Sequence, residues 1–137
     1  MEMKTTFSFI VHPFDVCILR LTSPDNLPLS KLGAWYSLTR TPTEFSLVCE
    51  QSAYDALPPS ELLLDGAVPE RDRVAFGIDG VLEMSMTGVL AGIAKCLAEA
   101  QVPIFVVSTY NTDWIQVSRD QFACARAVLE GMGHKFN

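Results

Sequence analysis

The fold is decided by residues 106–117, which read VVSTYNTDWIQV. Two apolar, strand-like runs flank a short polar turn that carries hydroxyls, an amide and one carboxylate. Residues 35–48, WYSLTRTPTEFSLV, repeat this order: an apolar strand, a serine, a threonine-rich turn, an acidic residue, an aromatic residue and a second apolar strand. The two copies lie about half a chain length apart. A unit that occurs twice in this way predicts two similar modules.

Length and composition favour a folded chain of one compact body or two small modules. The chain has 137 residues, and 49% of them are hydrophobic, which is ample for a core. No apolar run approaches the roughly 18–20 residues needed to cross a bilayer, and the N-terminus lacks the pattern of a signal peptide. We therefore expect a cytoplasmic protein that does not contact membranes.

Charge and cysteine spacing exclude two further classes of function. The net charge is −6 at pH 7, whereas nucleic-acid binding needs clustered lysine and arginine, so we expect no nucleic-acid partner. The four cysteines, Cys17, Cys49, Cys96 and Cys124, have no C-x-x-C pairing, and each lies in an apolar stretch. This pattern predicts buried free thiols in a reducing compartment and no metal site.

The second half of the sequence predicts its elements clearly. In order, they are a strand at 74–79, a helix at 88–100, strands at 104–108 and 113–117, a helix after a capping box at 118–121, and a short strand at 134–137. Thr87 or Ser85 is expected to cap the first helix, and the almost wholly apolar strand at 104–108 is expected to be central. The order β-α-β-β-α-β is the split arrangement of ferredoxin-like folds.

The first half gives weaker signals. Strands at 7–11 and 15–21 precede a hairpin formed by residues 35–40 and 44–50. Between them, proline-rich sequence offers only a turn and one short helical piece, so the helices of this half are expected to be degenerate. The charged residues 69–73 are expected to be a solvated linker. The prediction is an α+β protein with modules at 1–68 and 69–137.

Two segments of the second half resemble a known family. MSMTGVLA at 84–91, opening a helix, and IFVVSTYNTD at 104–113 are similar to the ACT domain of the CASTOR-type amino-acid sensors and their small microbial relatives. The resemblance covers most of residues 15–137, and it is weaker in the first half. It implies two ferredoxin-like ACT modules side by side and a free amino acid bound at the junction between modules or subunits. It also implies no catalysis and no cofactor.

In that family, the ligand contacts come from the loop that opens the first helix and from the Ser-Thr-aromatic-Asn-x-Asp turn. The positions that match in this sequence are Met86, Thr87, Gly88, Val89, Thr109, Tyr110, Asn111, Thr112 and Asp113. The chemistry suits an amino acid, because a helix N-terminus attracts the carboxylate and Asp113 can pair with the ammonium group. The first-half turn at 38–44 departs from the pattern, which argues against a second, equivalent site.

Several of these residues can instead have a purely structural role. Asp113 can instead be a turn residue that bonds its own backbone, and Tyr110 and Trp114 can instead be core or interface aromatics. For Ser108 and Thr112, a structural role is as well supported as a binding role.

Two other functions compete with the sensor interpretation. Residues 76–82, FGIDGVL, resemble the first motif of HAD-type phosphatases, but Gly77 stands where that chemistry needs a nucleophilic aspartate. No catalytic residue is therefore predicted. A protein-interaction module without a ligand is the second alternative. A binding protein without catalysis acts by its differential affinity for two states, so we expect a homodimer and a protein partner that the sequence does not identify.

Overall fold

The computed structural model describes residues 6–23, 25–62, 64–82 and 87–137. Within these ranges, the strands are β1 (Ser8–Val11), β2 (Val16–Leu21), β3 (Tyr36–Arg40), β4 (Phe45–Glu50), β5 (Glu70–Ile78), β6 (Phe105–Ser108), β7 (Asp113–Ser118) and β8 (Lys135–Phe136). The helices are α1 (Gln51–Ala56), α2 (Val89–Glu99) and α3 (Arg119–Gly131), and a 3-10 turn covers Leu29–Lys31. The α+β fold class is confirmed.

The chain divides into two compact units. The continuous unit comprises Phe14–Arg73, and the split unit comprises Met1–Pro13 together with Val74–Asn137. These bounds differ from the expected modules, because β1 pairs with β5 and β8 of the split unit although it comes first in the chain. The division at 68/69 stays a prediction about where separately folding domains begin and end.

The continuous unit has the strand order of a ferredoxin-like fold. Its strands are arranged β3-β4-β2-β5, and all the neighbours are antiparallel. One face of this sheet carries a core that includes Leu19, Leu32 and Leu47, each at most 2% exposed. The 3-10 turn is three residues long and α1 is six, so the prediction of degenerate helices is confirmed. Pro28 directly before the turn and Pro58 after α1 are consistent with this shortness, because proline cannot donate a helical hydrogen bond.

The expected linker at 69–73 is wrong. Residues 70–73 are the first part of β5 and pair with β2 through Ile18↔Glu70 and Val16↔Arg73, with a register shift between the two pairs. Their charges also have partners in α1, since Arg71 donates two hydrogen bonds of 2.9 Å to the carboxylate of Asp55. The charges indicated exposure correctly, but backbone pairing is independent of side-chain polarity, so exposure did not imply a loop.

The split unit contains the predicted β-α-β-β-α-β order, which is confirmed from β5 to β8. Its strands are arranged β6-β7-β5-β1-β8, so β1 lies between β5 and the parallel strand β8. Its core is built from both helices and the sheet, and includes Phe9, Phe76, Leu97, Ile115 and Leu129, none of which is exposed.

Three local predictions in the split unit are wrong. Among the described residues β6 pairs with β7 alone and no residue of β6 is fully buried, so this apolar strand is not central. Gly88 is the N-cap of α2 without a side-chain cap, so Thr87 does not cap it, and Ser85 lies outside the described residues. Ser118 is the N-cap of α3, but its hydroxyl contacts the Gln121 side chain at 3.1 Å and caps no backbone N–H.

Candidate functional site

A cavity of about 350 Å³ lies in the split unit, where three chain segments meet. The segments are the turn between β6 and β7, the first turn of α2 and the loop after β5. The lining residues are Leu82, Gly88, Val89, Leu90, Ala91, Ser108, Thr109, Tyr110, Asn111, Thr112 and Asp113. The structure therefore brings together at one cavity the two segments that the sequence proposed, which are separated by about twenty residues of chain.

Hydrogen bonds within the β6–β7 turn fix its shape. The Thr109 amide donates to the Thr112 carbonyl at 2.8 Å, and the Thr109 hydroxyl donates to the same carbonyl at 3.1 Å. The Thr112 hydroxyl donates to the Ile78 carbonyl at 2.9 Å, which ties the turn to the end of β5. Both hydroxyl hydrogens are thus used within the protein. These threonines shape the cavity and retain only acceptor capacity for a bound molecule.

The loop after β5 is held against the same turn. The Leu82 amide donates to the Asn111 carbonyl at 2.7 Å. This bond leaves the Asn111 side-chain amide, which is exposed, available as both a donor and an acceptor. Leu82 was not among the predicted site residues, and only its long-range backbone contact brings it to the cavity.

Asp113 is the single charged residue among the cavity's described lining residues. It is half-buried at the start of β7, directly opposite Ser108 on β6. The Ser108 hydroxyl donates to Asp113 Oδ1 at 2.6 Å, which orients the carboxylate. An ionised carboxylate has about four lone-pair sites, so most of its acceptor capacity is still free for a cation. The neighbouring hydroxyl, rather than Asp113's own backbone, is the partner that the structure shows.

The N-terminus of α2 supplies the opposite polarity. The Gly92 amide donates to the carbonyl of the N-cap residue Gly88 at 3.2 Å, and the amides that precede it in the first turn have no acceptor within the helix. Gly88 has a φ of 76°, and a Cβ added there would meet no atom within 4 Å. A side chain would fit at position 88, so glycine is favoured there because it adopts the left-handed backbone conformation without strain.

The remaining predicted site residues have different positions. Tyr110 is 87% exposed at the cavity, so it is not a core residue. Thr87 is exposed and is not among the lining residues, and Met86 lies outside the described residues. Trp114 packs on the strand beside it: a Cβ added to Gly77 would lie 2.7 Å from the indole ring. Gly77 therefore makes room for an aromatic ring.

The helix face of the cavity contains two residues that the sequence did not single out. Leu90 and Ala91 line it from the first turn of α2. Their position in the first turn after the Thr-Gly pair was the available signal. Together with Leu82 and Val89 they supply the apolar part of the lining, while the turn supplies the polar part.

The continuous unit has a wider cavity of about 880 Å³ at the corresponding place, beside the β3–β4 turn and the end of β2. It differs in chemistry from the first cavity. Its lining includes two arginines, Arg20 and Arg40, of which Arg20 pairs with Asp65 and Arg40 lies over the Phe45 ring. None of its described lining residues lies at a helix N-terminus. The strands β3-β4-β2 of one unit and β6-β7-β5 of the other therefore have corresponding orders, but the two cavities beside them do not share their polar groups.

Neither a candidate metal cluster nor a helix that could span a membrane is found in the described part of the chain. Across those residues, no group of three or more His, Cys, Asp or Glu side chains is placed to hold a metal ion. The helices found there are also too short or too polar to cross a bilayer.

Residues 68–131 match the family model of the ACT domain. The cytosolic arginine sensor for mTORC1 subunit 1 from Homo sapiens is 30% identical over 116 residues, covering 81% of this chain and 33% of the relative. The Bos taurus protein of the same name gives the same figures. The chain thus spans about a third of the length of the curated relatives it matches.

Solved structures show the same fold. A protein from Agobacterium tumefaciens superposes with a TM-score of 0.79 at 22% identity, covering 97% of this chain and 93% of that one. The ligand-free regulatory subunit of aspartate kinase from Thermus thermophilus superposes with a TM-score of 0.64 at 15% identity, covering 95% of this chain and 99% of that one.

Proposed function

We propose that this chain, of which residues 68–131 match the family model of the ACT domain, is a regulatory protein that binds a small amino acid in the cavity of the split unit. The observation that carries this proposal is the meeting of Asp113 and the N-terminus of α2 at one cavity. The cavity volume of about 350 Å³ falls within the range of small-molecule sites. The relatives named as arginine sensors support an amino acid as the class of ligand.

The two ends of the cavity match the two charges of an α-amino acid. The free amides of Val89 and Leu90, together with the helix dipole, bind the carboxylate. The Asp113 carboxylate, held by Ser108, accepts a charge-assisted bond from the ammonium group. Asn111 can satisfy either end, and Gly88 sets the direction of the amides. Met86, Thr87 and Tyr110 remain proposed contacts, while Thr109 and Thr112 act by shaping the turn.

The charge of the lining favours some amino acids over others. Asp113 is negative, and no described lining residue is positive. An acidic ligand side chain would therefore meet a like charge without a compensating cation, which disfavours it. We expect neutral or cationic amino acids to bind in preference to aspartate and glutamate.

The signal is proposed to pass through association with other chains. Tyr110 is 87% exposed at the cavity, and Val81, next to the lining residue Leu82, is 71% exposed. Large apolar side chains left in water beside a binding site are typical of a surface that another chain covers. The proposal is a homodimer in which the second copy supplies the missing wall, with a further protein partner that responds to occupancy. No catalytic step is proposed, and the proposed location is the cytoplasm.

A thermal-shift screen against each proteinogenic amino acid tests the proposal. At about a hundred times its dissociation constant, a ligand stabilises the folded chain by roughly 2.7 kcal/mol, which gives a clear rise in Tm. Asp113→Asn keeps the size of the side chain and removes its charge. It should weaken binding by about tenfold to a hundredfold, as expected for a lost bond to a charged group. Asp120→Asn is the matched control. Asp120 is an exposed residue of α3 and does not line the cavity, so this variant should leave the ligand-induced rise in Tm unchanged.

Two results would contradict the proposal. If no amino acid raises Tm, the chain is better described as an interaction module without a ligand. If an amino acid raises Tm equally in the Asp113→Asn and Asp120→Asn variants, binding occurs elsewhere and Asp113 does not contact the ligand.

A further inference from the structure

Cys17 and Cys49 lie directly opposite each other in the continuous unit. The antiparallel register of β2 and β4 pairs Cys17 with Cys49, between the flanking pairs Val16↔Glu50 and Ile18↔Val48. Residues directly opposite on antiparallel strands have Cα atoms about 4.5–5.5 Å apart, and their side chains point to the same face of the sheet. The pairing of the two strands therefore places the two thiols next to each other.

Both thiols lie in the core of the continuous unit. Neither cysteine is exposed, and they pack in the same cluster as Leu19 and Leu47. The Cys49 thiol donates a hydrogen bond to the Cys17 sulfur, and this bond lowers the pKa of Cys17. The same bond, together with burial, raises the pKa of Cys49 far above its ordinary value. The pair is thus asymmetric: Cys17 is the better thiolate, and Cys49 holds its proton.

We propose that Cys17 and Cys49 form an oxidation site, a dithiol that closes to a disulfide between β2 and β4. The Cα separation set by the register falls within the 4.4–6.8 Å range of disulfides. Opposite Cβ atoms on a sheet start about 4.5–5.5 Å apart, whereas a disulfide needs roughly 3.5–4.5 Å, so the strands must approach slightly. The resulting strain makes the bond easily reduced, which suits a reversible modification better than a structural cross-link.

A small peroxide such as hydrogen peroxide is the oxidant that the site requires. The Cys17 thiolate attacks one peroxide oxygen, the O–O bond breaks, and hydroxide leaves; the hydroxide takes up the proton that the Cys17 thiol released, so Cys17 sulfenic acid and water are formed. The Cys49 sulfur then attacks the Cys17 sulfur, the S–O bond breaks, and its hydroxyl leaves as a second water with the Cys49 proton. In sum, two thiols and one peroxide give one disulfide and two waters. Because both sulfurs are buried, a water-sized oxidant reaches them through local opening of the sheet.

Cys96 provides a matched control within the same chain. It is also buried, at 9% exposure, but its Sγ contacts the Val128 carbonyl at 3.9 Å and no cysteine lies opposite it. Cys124 is exposed and would cross-link separate molecules, so the experiment uses the full chain with Cys124→Ser. Folded protein is treated with hydrogen peroxide, the peroxide is removed with catalase, and the chain is unfolded in N-ethylmaleimide and mapped without reduction by mass spectrometry.

The expected product is one cross-linked peptide that joins Cys17 to Cys49 and is lost on treatment with dithiothreitol. In the same sample, Cys96 should be recovered in its alkylated form. In the Cys49→Ser variant no cross-link can form, and Cys17 should be trapped by dimedone as its sulfenic acid. The Cys17→Ser variant likewise cannot form this cross-link.

Two outcomes would overturn the proposal. One is recovery of Cys17 and Cys49 as alkylated thiols to the same extent as Cys96 after peroxide treatment of the folded chain. The other is a disulfide in the folded chain that joins Cys96 to Cys17 or Cys49 as often as it joins Cys17 to Cys49. Both readouts use only the Cys124→Ser chain, so the test stands even if the serine variants at 17 and 49 do not fold.

Discussion

At the scale of single residues, the contact between Gly77 and Trp114 has the clearest energetic consequence. A Cβ at position 77 would lie 2.7 Å from the indole, which is closer than real Cβ contacts. Gly77→Ala should therefore lower the free energy of unfolding by about 1–3 kcal/mol, the usual cost of overpacking. Denaturant unfolding followed by tryptophan fluorescence measures the change.

Gly92→Ala is the control for this substitution. Gly92 lies inside α2, and a Cβ added there would meet nothing within 4 Å. Alanine is favoured over glycine in a helix by up to about 1 kcal/mol, so this variant should be neutral or more stable. Equal stability of the two variants would show that the indole does not rest on the Gly77 backbone.

His134 gives the second residue-scale prediction, on pH. The ring is 6% exposed, lies between Phe7 and Phe9, and accepts a hydrogen bond from the Phe7 amide at 3.0 Å. Burial lowers the pKa of His134, so the unfolded chain takes up this proton more readily. The free energy of unfolding should be constant above about pH 6.5 and fall as the pH is lowered towards 5.

Denaturant titrations at pH 7.5 and 5.5 check this dependence. His134→Gln should remove most of the fall between these pH values, whereas His12→Gln should keep it. Asp55 and Asp65 affect the free energy of unfolding in a different pH range. The pKa of each is lowered, so the stability that they contribute is lost only as the pH falls below about 4. An unchanged slope in His134→Gln would contradict the assignment.

At the scale of elements, the start of α2 depends on the left-handed backbone of Gly88. Its φ is 76°, a conformation that costs an L-residue about 1–2 kcal/mol. Gly88→Ala should lower the free energy of unfolding by roughly that amount and reduce the amino-acid thermal shift, because the amides of the first turn would be reoriented. Gly88→Asn should be milder, since asparagine tolerates this region better. If alanine is the milder substitution, the backbone at 88 is not left-handed.

The elements that sequence predicted well are those whose own periodicity determines them. Both helices of the split unit and the β3–β4 hairpin repeat their apolar residues at helix or strand spacing. The predictions that were wrong about β6 and residues 70–73 concern which strands pair with one another. An apolar run such as β6 indicates that side chains are sheltered, but not how many strands lie beside it. The charged residues 70–73 indicate exposure, but not that their backbone pairs with β2.

The candidate site divides in the same way. The turn at 109–113 is contiguous in sequence, so its composition could be interpreted directly, and the cavity includes all of it. Leu82 comes to the cavity through a backbone bond to Asn111, which no side-chain pattern encodes. The sequence also could not predict that the hydroxyls of Thr109 and Thr112 are hydrogen-bonded within the protein. A hydroxyl that shapes a turn and a hydroxyl that binds a ligand look identical in sequence.

At the scale of the whole molecule, three strands have the same relative order in each unit, but the residues that line the two cavities differ in chemistry. The continuous unit shortens its helices and lines its cavity with Arg20 and Arg40. The split unit keeps a helix of eleven residues whose first turn lines the same cavity as Asp113. Repetition of a strand order therefore did not require repetition of a site, and the weak second copy in the sequence reflects this difference.

The pairing of β1 with β5 implies that the whole middle of the chain is removable. Val11 lies opposite Phe76, and the His12 amide bonds the Ala75 carbonyl, so the two ends flanking residues 14–73 are neighbours on adjacent antiparallel strands. An excision of 14–73, with Asn-Gly joining residue 13 to residue 74, would leave an ordinary β-hairpin. This miniature should unfold cooperatively and retain the amino-acid thermal shift, whereas a fragment of 69–137 lacks β1 and should be less stable. Equal stability of the two would favour the boundary at 68/69. If the excised form folds, the split unit needs nothing from residues 14–73, and one in-frame deletion is enough to turn a two-unit chain into a chain with a single unit.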